Sequence, residues 1–130
     1  MHRDLSEEAT RERAEGFLAQ HRQCNLATCE NCCLETAVYA LTGTEMKFRD
    51  ALMVRRFFEC PIVDTSLVYL FILDYHSLNS RGLPYFHAGV YYPATHRVFS
   101  RIDNTWKSVP IETYRAMSRE KGYTLHYYHW

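Results

Sequence analysis

Four of the five cysteines, Cys24, Cys29, Cys32 and Cys33, fall within ten consecutive positions. A cysteine attacks carbonyl carbon as its thiolate, which a helix N-terminus and a neighbouring imidazolium both favour. The run from Cys29 to Cys33 stands where a polar segment, Gln23 to Asn31, gives way to the apolar pattern Cys32-Cys-Leu-Glu-Thr-Ala-Val-Tyr-Ala-Leu-Thr-Gly43. That junction supplies the helix end. Among seven histidines, His87 lies in a strand-like segment, Tyr85 to Tyr92, followed after Pro93-Ala-Thr-His96 by a second, Arg97 to Asp103. A hairpin that pairs Tyr92 with Val98 sets His87 opposite Asp103 on one face, within reach of an Asp–imidazole hydrogen bond. A register shifted by one residue breaks that pairing. In the paired register Asp103 fixes the tautomer of His87, whose other nitrogen exchanges a proton with the thiol.

The run Gln23-Cys-Asn-Leu-Ala-Thr-Cys29-Glu-Asn-Cys32-Cys33-Leu34 resembles the nucleophile segment of papain-like cysteine enzymes, and is closest to papain-fold polymorphic toxin and effector domains. A weaker similarity links it to bacteriocin-processing cysteine peptidases. These families carry an oxyanion-hole glutamine six residues before the nucleophile, an offset matched by Gln23 and Cys29. The toxins also show a C-x-x-C pair leading into the core helix, as in Cys29-Glu-Asn-Cys32, and a strand histidine followed by an aspartate at the end of the next strand, as in His87 and Asp103. The resemblance implies catalytic Cys29, His87, Asp103 and Gln23, with Cys32 as the alternative nucleophile because it lies nearer the helix start. It covers three short segments. No tryptophan follows the nucleophile as it does in papain, and the Cys29 to His87 interval is shorter than in full-size proteases, which points to a minimal domain. The implied activity is amide hydrolysis on a protein substrate, either glutamine deamidation or narrow-specificity proteolysis. It needs no cofactor, and a toxin of this type implies an immunity protein as partner.

The elements that must position these residues follow from patterning. Ser6 caps a helix with Glu7 and Glu8 in its first turn, running to about His21. The pattern from Cys32 to Gly43 predicts a second, core helix, and Glu45 to Phe58 keeps a mixed helical pattern ending before Pro61. Leu67 to Leu73 is apolar on both parities, as a central strand is. The hairpin comes next, then a helix from Ile111 to Lys121 opened by Pro110 and closed by Gly122, and a final aromatic strand from Thr124 to Trp130. Helices first and an antiparallel sheet afterwards make an α+β fold of papain-like type, with the helix after the nucleophile packed on the sheet. At 130 residues the expectation is one domain spanning 1–130.

Fifteen basic residues balance fifteen acidic ones, so no overall field draws the chain to nucleic acid. No apolar run approaches the roughly 18 residues of a membrane helix, and the polar start Met1 to Glu8 lacks the core of a cleavable signal. The expectation is a soluble protein, secreted or delivered into a target cell by another route. Two rival readings remain. The spacing Cys24-x4-Cys29-x2-Cys32 with distant Cys60 is that of plant-type iron–sulfur ligands, and a zinc site of four thiolates is the related alternative. The segment Gln23 to Cys33 has no glycine to let backbone N–H groups face cluster sulfurs. A non-enzymatic interaction module is the third reading, and nothing in the sequence argues for it.

Overall fold

The computed structural model describes residues 4–21, 32–45, 58–60, 63–78, 82 and 84–129. It contains three helices, α1 (Glu7–Gln20), α2 (Cys32–Thr42) and α3 (Ile111–Lys121), and six strands, β1 (Phe58–Glu59), β2 (Tyr69–Leu78), β3 (Pro84–Tyr92), β4 (Arg97–Ile102), β5 (Thr105–Pro110) and β6 (Thr124–His129). The strands form one sheet in the order β1-β6-β2-β3-β4-β5, antiparallel at every pairing. Because β1 is a two-residue edge piece, five strands carry the sheet.

The sheet is covered on both faces. Leu70 and Ile72 of β2, with Ala88, Val90 and Tyr92 of β3, pack beneath Ala14 of α1 and Leu34, Ala37, Val38, Ala40 and Leu41 of α2. The opposite parity, Tyr69, Phe71 and Leu73 with Tyr91 and Val98, packs against Ile111 and Tyr114 of α3. A strand lying between two helical layers must be apolar on both parities, which is why Leu67 to Leu73 looks continuous rather than alternating. Each large side chain buried this completely, such as Leu34 or Phe71 at 0% exposure, stabilises the fold by about 1.5–3 kcal/mol.

Local chemistry sets the ends of the elements. The Ser6 side chain accepts the Ala9 N–H at the start of α1, with Glu7 and Glu8 in the first turn. Replacing Ser6 with Ala should cost about 1 kcal/mol, visible as a lower urea midpoint at unchanged m-value. Arg13 Nε donates to the carbonyl of Ala40, 2.7 Å away, satisfying one of the carbonyls that the C-terminal end of α2 leaves open. The hydroxyls of Thr10 and Tyr92 lie 2.6 Å apart and lock α1 to β3. Gly122 closes α3 in the left-handed conformation at φ 74°.

Several sequence expectations change. The hairpin pairs Tyr92 with Arg97 and Tyr91 with Val98, one residue away from the expected Tyr92–Val98 pairing. The turn Pro93–His96 closes with Thr95 N–H on the Tyr92 carbonyl and His96 N–H on the Pro93 carbonyl, so four residues separate the strands where the expected register needs five. The central strand extends to Leu78 through a bulge between Asp74 and Ser77, with His76 at φ 54°. Strand β5 is an addition. It is reached through the two-residue turn Asp103–Asn104, with φ of 51° and 60°, the signature of a type I′ hairpin. The helical pattern from Glu45 to Phe58 lies outside the described residues except at its two ends.

Candidate functional site

The first turn of α2 carries Cys32 and Cys33. Its N–H groups have no partner within the helix, so they are open to an electron-rich atom. Cys33 packs against the cluster formed by Ala88 of β3 and by Leu34 and its neighbours on α2, and the backbone N–H groups of Ala88, Leu34 and Cys33 and the Arg101 guanidinium all favour its ionised form. Burial pushes the thiol up all the same, outweighing those groups, which pull it down. In the resting protein Cys33 is a neutral thiol at neutral pH.

His87 stands next to Ala88 on β3, opposite Leu73 of β2. Its Nε2 lies 2.9 Å from Ser100 Oγ of β4, and its ring sits over Tyr114 of α3 at 5.8 Å between centroids. His87 thus contacts both Ser100 of β4 and Tyr114 of α3, and these contacts bridge the three elements. Burial lowers His87 from 6.5 to about 4, which leaves the imidazole neutral at pH 7. The Cys33 thiol and the His87 imidazole are therefore both uncharged at neutral pH.

By strand parity His87 faces α3, while Cys33 packs against the α1–α2 side. They meet along the backbone of β3: Cys33 packs against the cluster that includes Ala88, and its charge would be felt at Tyr114 and Tyr75 on the other side. Regular β3–β4 pairing extends only from Tyr92–Arg97 to Val90–Phe99. Past that point the strands are joined by the His87–Ser100 side-chain bond.

Asp103 is not brought to His87. The observed register carries Ile102 toward the level of His87, and Asp103 sits exposed in the β4–β5 turn. Gln23, Cys24 and Cys29 lie outside the described residues. Cys32 begins α2, and its side chain also lies outside the description. Cys60 packs with the α3-side cluster, across the sheet from α2.

Sequence reasoning missed three residues at this site, Ser100, Tyr114 and Arg101. Arg101 is 7% exposed. Its Nη2 donates to the His21 carbonyl at 2.9 Å and to Asn104 Oδ1 at 2.8 Å, and its Nη1 to Thr36 Oγ1 at 3.5 Å. The available signal was an arginine inside the strand Val98-Phe-Ser-Arg-Ile, where a charge is expensive unless it is used. Among the described residues no group of three or more His, Cys, Asp or Glu side chains could hold a metal ion, and no helix is long and apolar enough to cross a membrane.

Comparison with protein-family models, with curated proteins and with solved structures gives no match.

Proposed function

We propose that this chain is a cysteine-dependent amide hydrolase of papain-like type, a protein glutamine deamidase or narrow-specificity protease acting as a toxin or effector. The observation that carries this reading is the contact between the first turn of α2 and β3: Cys33 packs against the cluster that includes Ala88, one residue past His87. A cysteine-bearing helix start packed on the strand that carries the histidine supports the reading, in the order the resemblance implies; because the His87 ring turns to the α3 face, away from Cys33, the nucleophile of this reading is Cys29 or Cys32.

In this reading the thiol of Cys29 or of Cys32 attacks the substrate carbonyl. Cys29 is preferred by its offset from Gln23, and Cys32 is the alternative. His87, neutral because burial holds it near 4, is able to take the thiol proton as attack begins and return it to the departing ammonia or amine. Gln23 and the Cys29 backbone N–H donate to the oxyanion, and water hydrolyses the thioester. The neighbours that orient His87 in the structure are Ser100 and Tyr114, and they take the orienting role expected of Asp103. The reading requires no cofactor. A toxin of this class would be held in check by an immunity protein.

The test is to incubate the protein with a cell lysate and score new peptide termini and glutamine-to-glutamate conversion by mass spectrometry. The Cys29→Ala, Cys32→Ala, Cys33→Ala and His87→Ala variants run in parallel. One cysteine variant should abolish the modification, and His87→Ala should slow it by about 100-fold or more. If wild type modifies nothing that a variant lacking all three cysteines leaves intact, the hydrolase reading fails.

A further inference from the structure

Thr124 opens β6 and pairs directly with Asp74 of β2. Directly opposed residues of an antiparallel pair share a face of the sheet, so both side chains continue the face of Leu70 and Ile72. Just beyond Asp74 the β2–β3 register shifts through the bulge, and His76 within it has φ 54°. A left-handed backbone is unfavourable for a residue with a side chain and is kept where the surroundings hold it. Here Asp74 Oδ1 accepts the His76 N–H at 2.8 Å. The bulge re-aims the histidine, and its ring returns over the Asp74–Thr124 pair. Nδ1 lies 3.5 Å from Asp74 Oδ2, and Nε2 lies 2.5 Å from Thr124 Oγ1. With the carboxylate accepting from Nδ1–H, Nε2 is the acceptor for the threonine hydroxyl. One contact would be enough to tie the bulge to β6. Two contacts, a carboxylate on one ring nitrogen and a hydroxyl on the other, make the order carboxylate, imidazole, hydroxyl by which a base activates an oxygen nucleophile.

We propose that Asp74, His76 and Thr124 form a second reactive centre, in which Thr124 is a hydroxyl nucleophile toward small activated carboxylic esters, His76 its base and Asp74 the positioning residue. The centre shares no residue with the cysteine-enzyme reading and does not depend on it. The Thr124 oxygen bonds to the ester carbonyl carbon as its proton passes to His76 Nε2. The bond from that carbon to the alcohol oxygen breaks, and the imidazolium gives its proton to the departing oxygen. Water, losing a proton to the same nitrogen, then releases the carboxylic acid and restores the threonine. Exposure sets the substrate class. The His76 and Asp74 side chains are 52% and 38% exposed, so a small molecule reaches the hydroxyl directly from solvent. In that setting charge stabilisation is weaker than in a dry pocket, which confines the centre to esters with a good leaving group and excludes amides.

The experiment treats the whole protein with a fluorophosphonate probe at pH 8 and maps the labelled peptides by mass spectrometry. The attacking oxygen bonds to phosphorus and fluoride leaves, so the adduct stays on the nucleophile. Ser66 and Thr105 are the internal references, since their hydroxyls donate to Asp64 and to the Ile102 carbonyl with no imidazole beside them. Thr124 should label about 100-fold faster than either, the contribution of a positioned base. His76→Gly should remove that advantage. Glycine accepts the positive φ, so the bulge is kept, and free imidazole added to this variant should restore labelling. Asp74→Asn keeps an acceptor for the His76 N–H but loses the charge, and should slow Thr124 by about fivefold, the upper end for an exposed ion pair. Asp74→Glu should recover part of that loss, which a purely structural role would not produce. After iodoacetamide has blocked the cysteines, wild type should still hydrolyse p-nitrophenyl acetate and Thr124→Val should not. Thr124 labelling no faster than Ser66 and Thr105, or His76→Gly labelling as fast as wild type, would overturn the proposal. Equal hydrolysis by alkylated wild type and Thr124→Val would overturn the ester assignment, and none of these outcomes bears on the cysteine site.

Discussion

Taking the protein from pH 7 to pH 4 should cost the fold about 3 kcal/mol through His87 alone. The unfolded chain binds a proton at this residue near 6.5, whereas burial holds the folded form near 4. Between those values the unfolded state binds more protons than the native state, so stability rises with pH across this window and is lost as pH falls through it. A difference of about 2.5 units, at 1.36 kcal/mol per unit, sets the size. The side chain is partly buried against Leu73, Ser100 and Tyr114, and about 3 kcal/mol is the size before solvent screening. Asp4, Asp64 and Glu112 also have lowered carboxyl ionisations, through Ser6, Ser66 and Arg115 respectively. They weaken the fold in acid too, but they are exposed and common to any His87 variant. The check is urea unfolding of wild type and His87→Gln at intervals from pH 7.5 to 4. Glutamine can still bond to Ser100 and does not titrate. The stability difference between the two proteins should therefore shift in favour of the variant by about 3 kcal/mol as pH falls from 7 to 4. A constant difference would mean that His87 is hydrated and charges freely, and its role as a neutral proton acceptor would go with it.

The same residue shows how far the sequence reaches. The helices from Glu7, Cys32 and Ile111 and the strands at Tyr69, Pro84, Arg97 and Thr124 follow from caps, apolar periodicity and glycine or proline punctuation, and the structure places them within a few residues of expectation. These signals are local, and local signals are what a single sequence carries. Register is a different quantity. Whether Tyr92 pairs with Arg97 or with Val98 depends on the hydrogen bonds inside one four-residue turn, yet that single step decides whether Asp103 or a neighbour of opposite parity faces His87. Strand β5 was legible in principle. Asp103-Asn104 is a pair that tolerates positive φ, and it stands between Arg97–Ile102 and an alternating segment, Thr105 to Pro110. Trp106 and Val109 are partly buried there, while Lys107 breaks the apolar impression. The surroundings of Cys33 could not be read at all, because the residues it packs against come together from α1, α2 and β3, far apart in the chain. The preferred nucleophile Cys29 and its partner Gln23 lie outside the described residues, so that part of the site stands on the resemblance.

Gly89→Ala should destabilise the protein by about 1–2 kcal/mol, against the sign that strand propensity alone would give. Glycine within a strand ordinarily weakens it by about 0.5–1 kcal/mol relative to alanine, so a neutral site would gain from the change. At Gly89 the added Cβ would stand 2.7 Å from the Phe99 carbonyl oxygen, 2.9 Å from Val98 Cγ1 and 3.0 Å from Ser100 Cβ. The nearest of these is backbone, which cannot rotate away, so β4 would have to move off β3. Overpacking of this kind costs about 1–3 kcal/mol, which exceeds the propensity gain. The displacement falls where regular β3–β4 pairing ends and the Ser100–His87 bond takes over, so it should also loosen that bond and admit water to the imidazole. Two readouts follow from one substitution. The urea midpoint at pH 7 should fall, and the loss of stability between pH 7 and pH 4 should become smaller than in wild type. A midpoint that rises would show that β4 does not approach Gly89 this closely. A midpoint that falls with an unchanged acid profile would show that the close approach is real but does not hold Ser100 against His87.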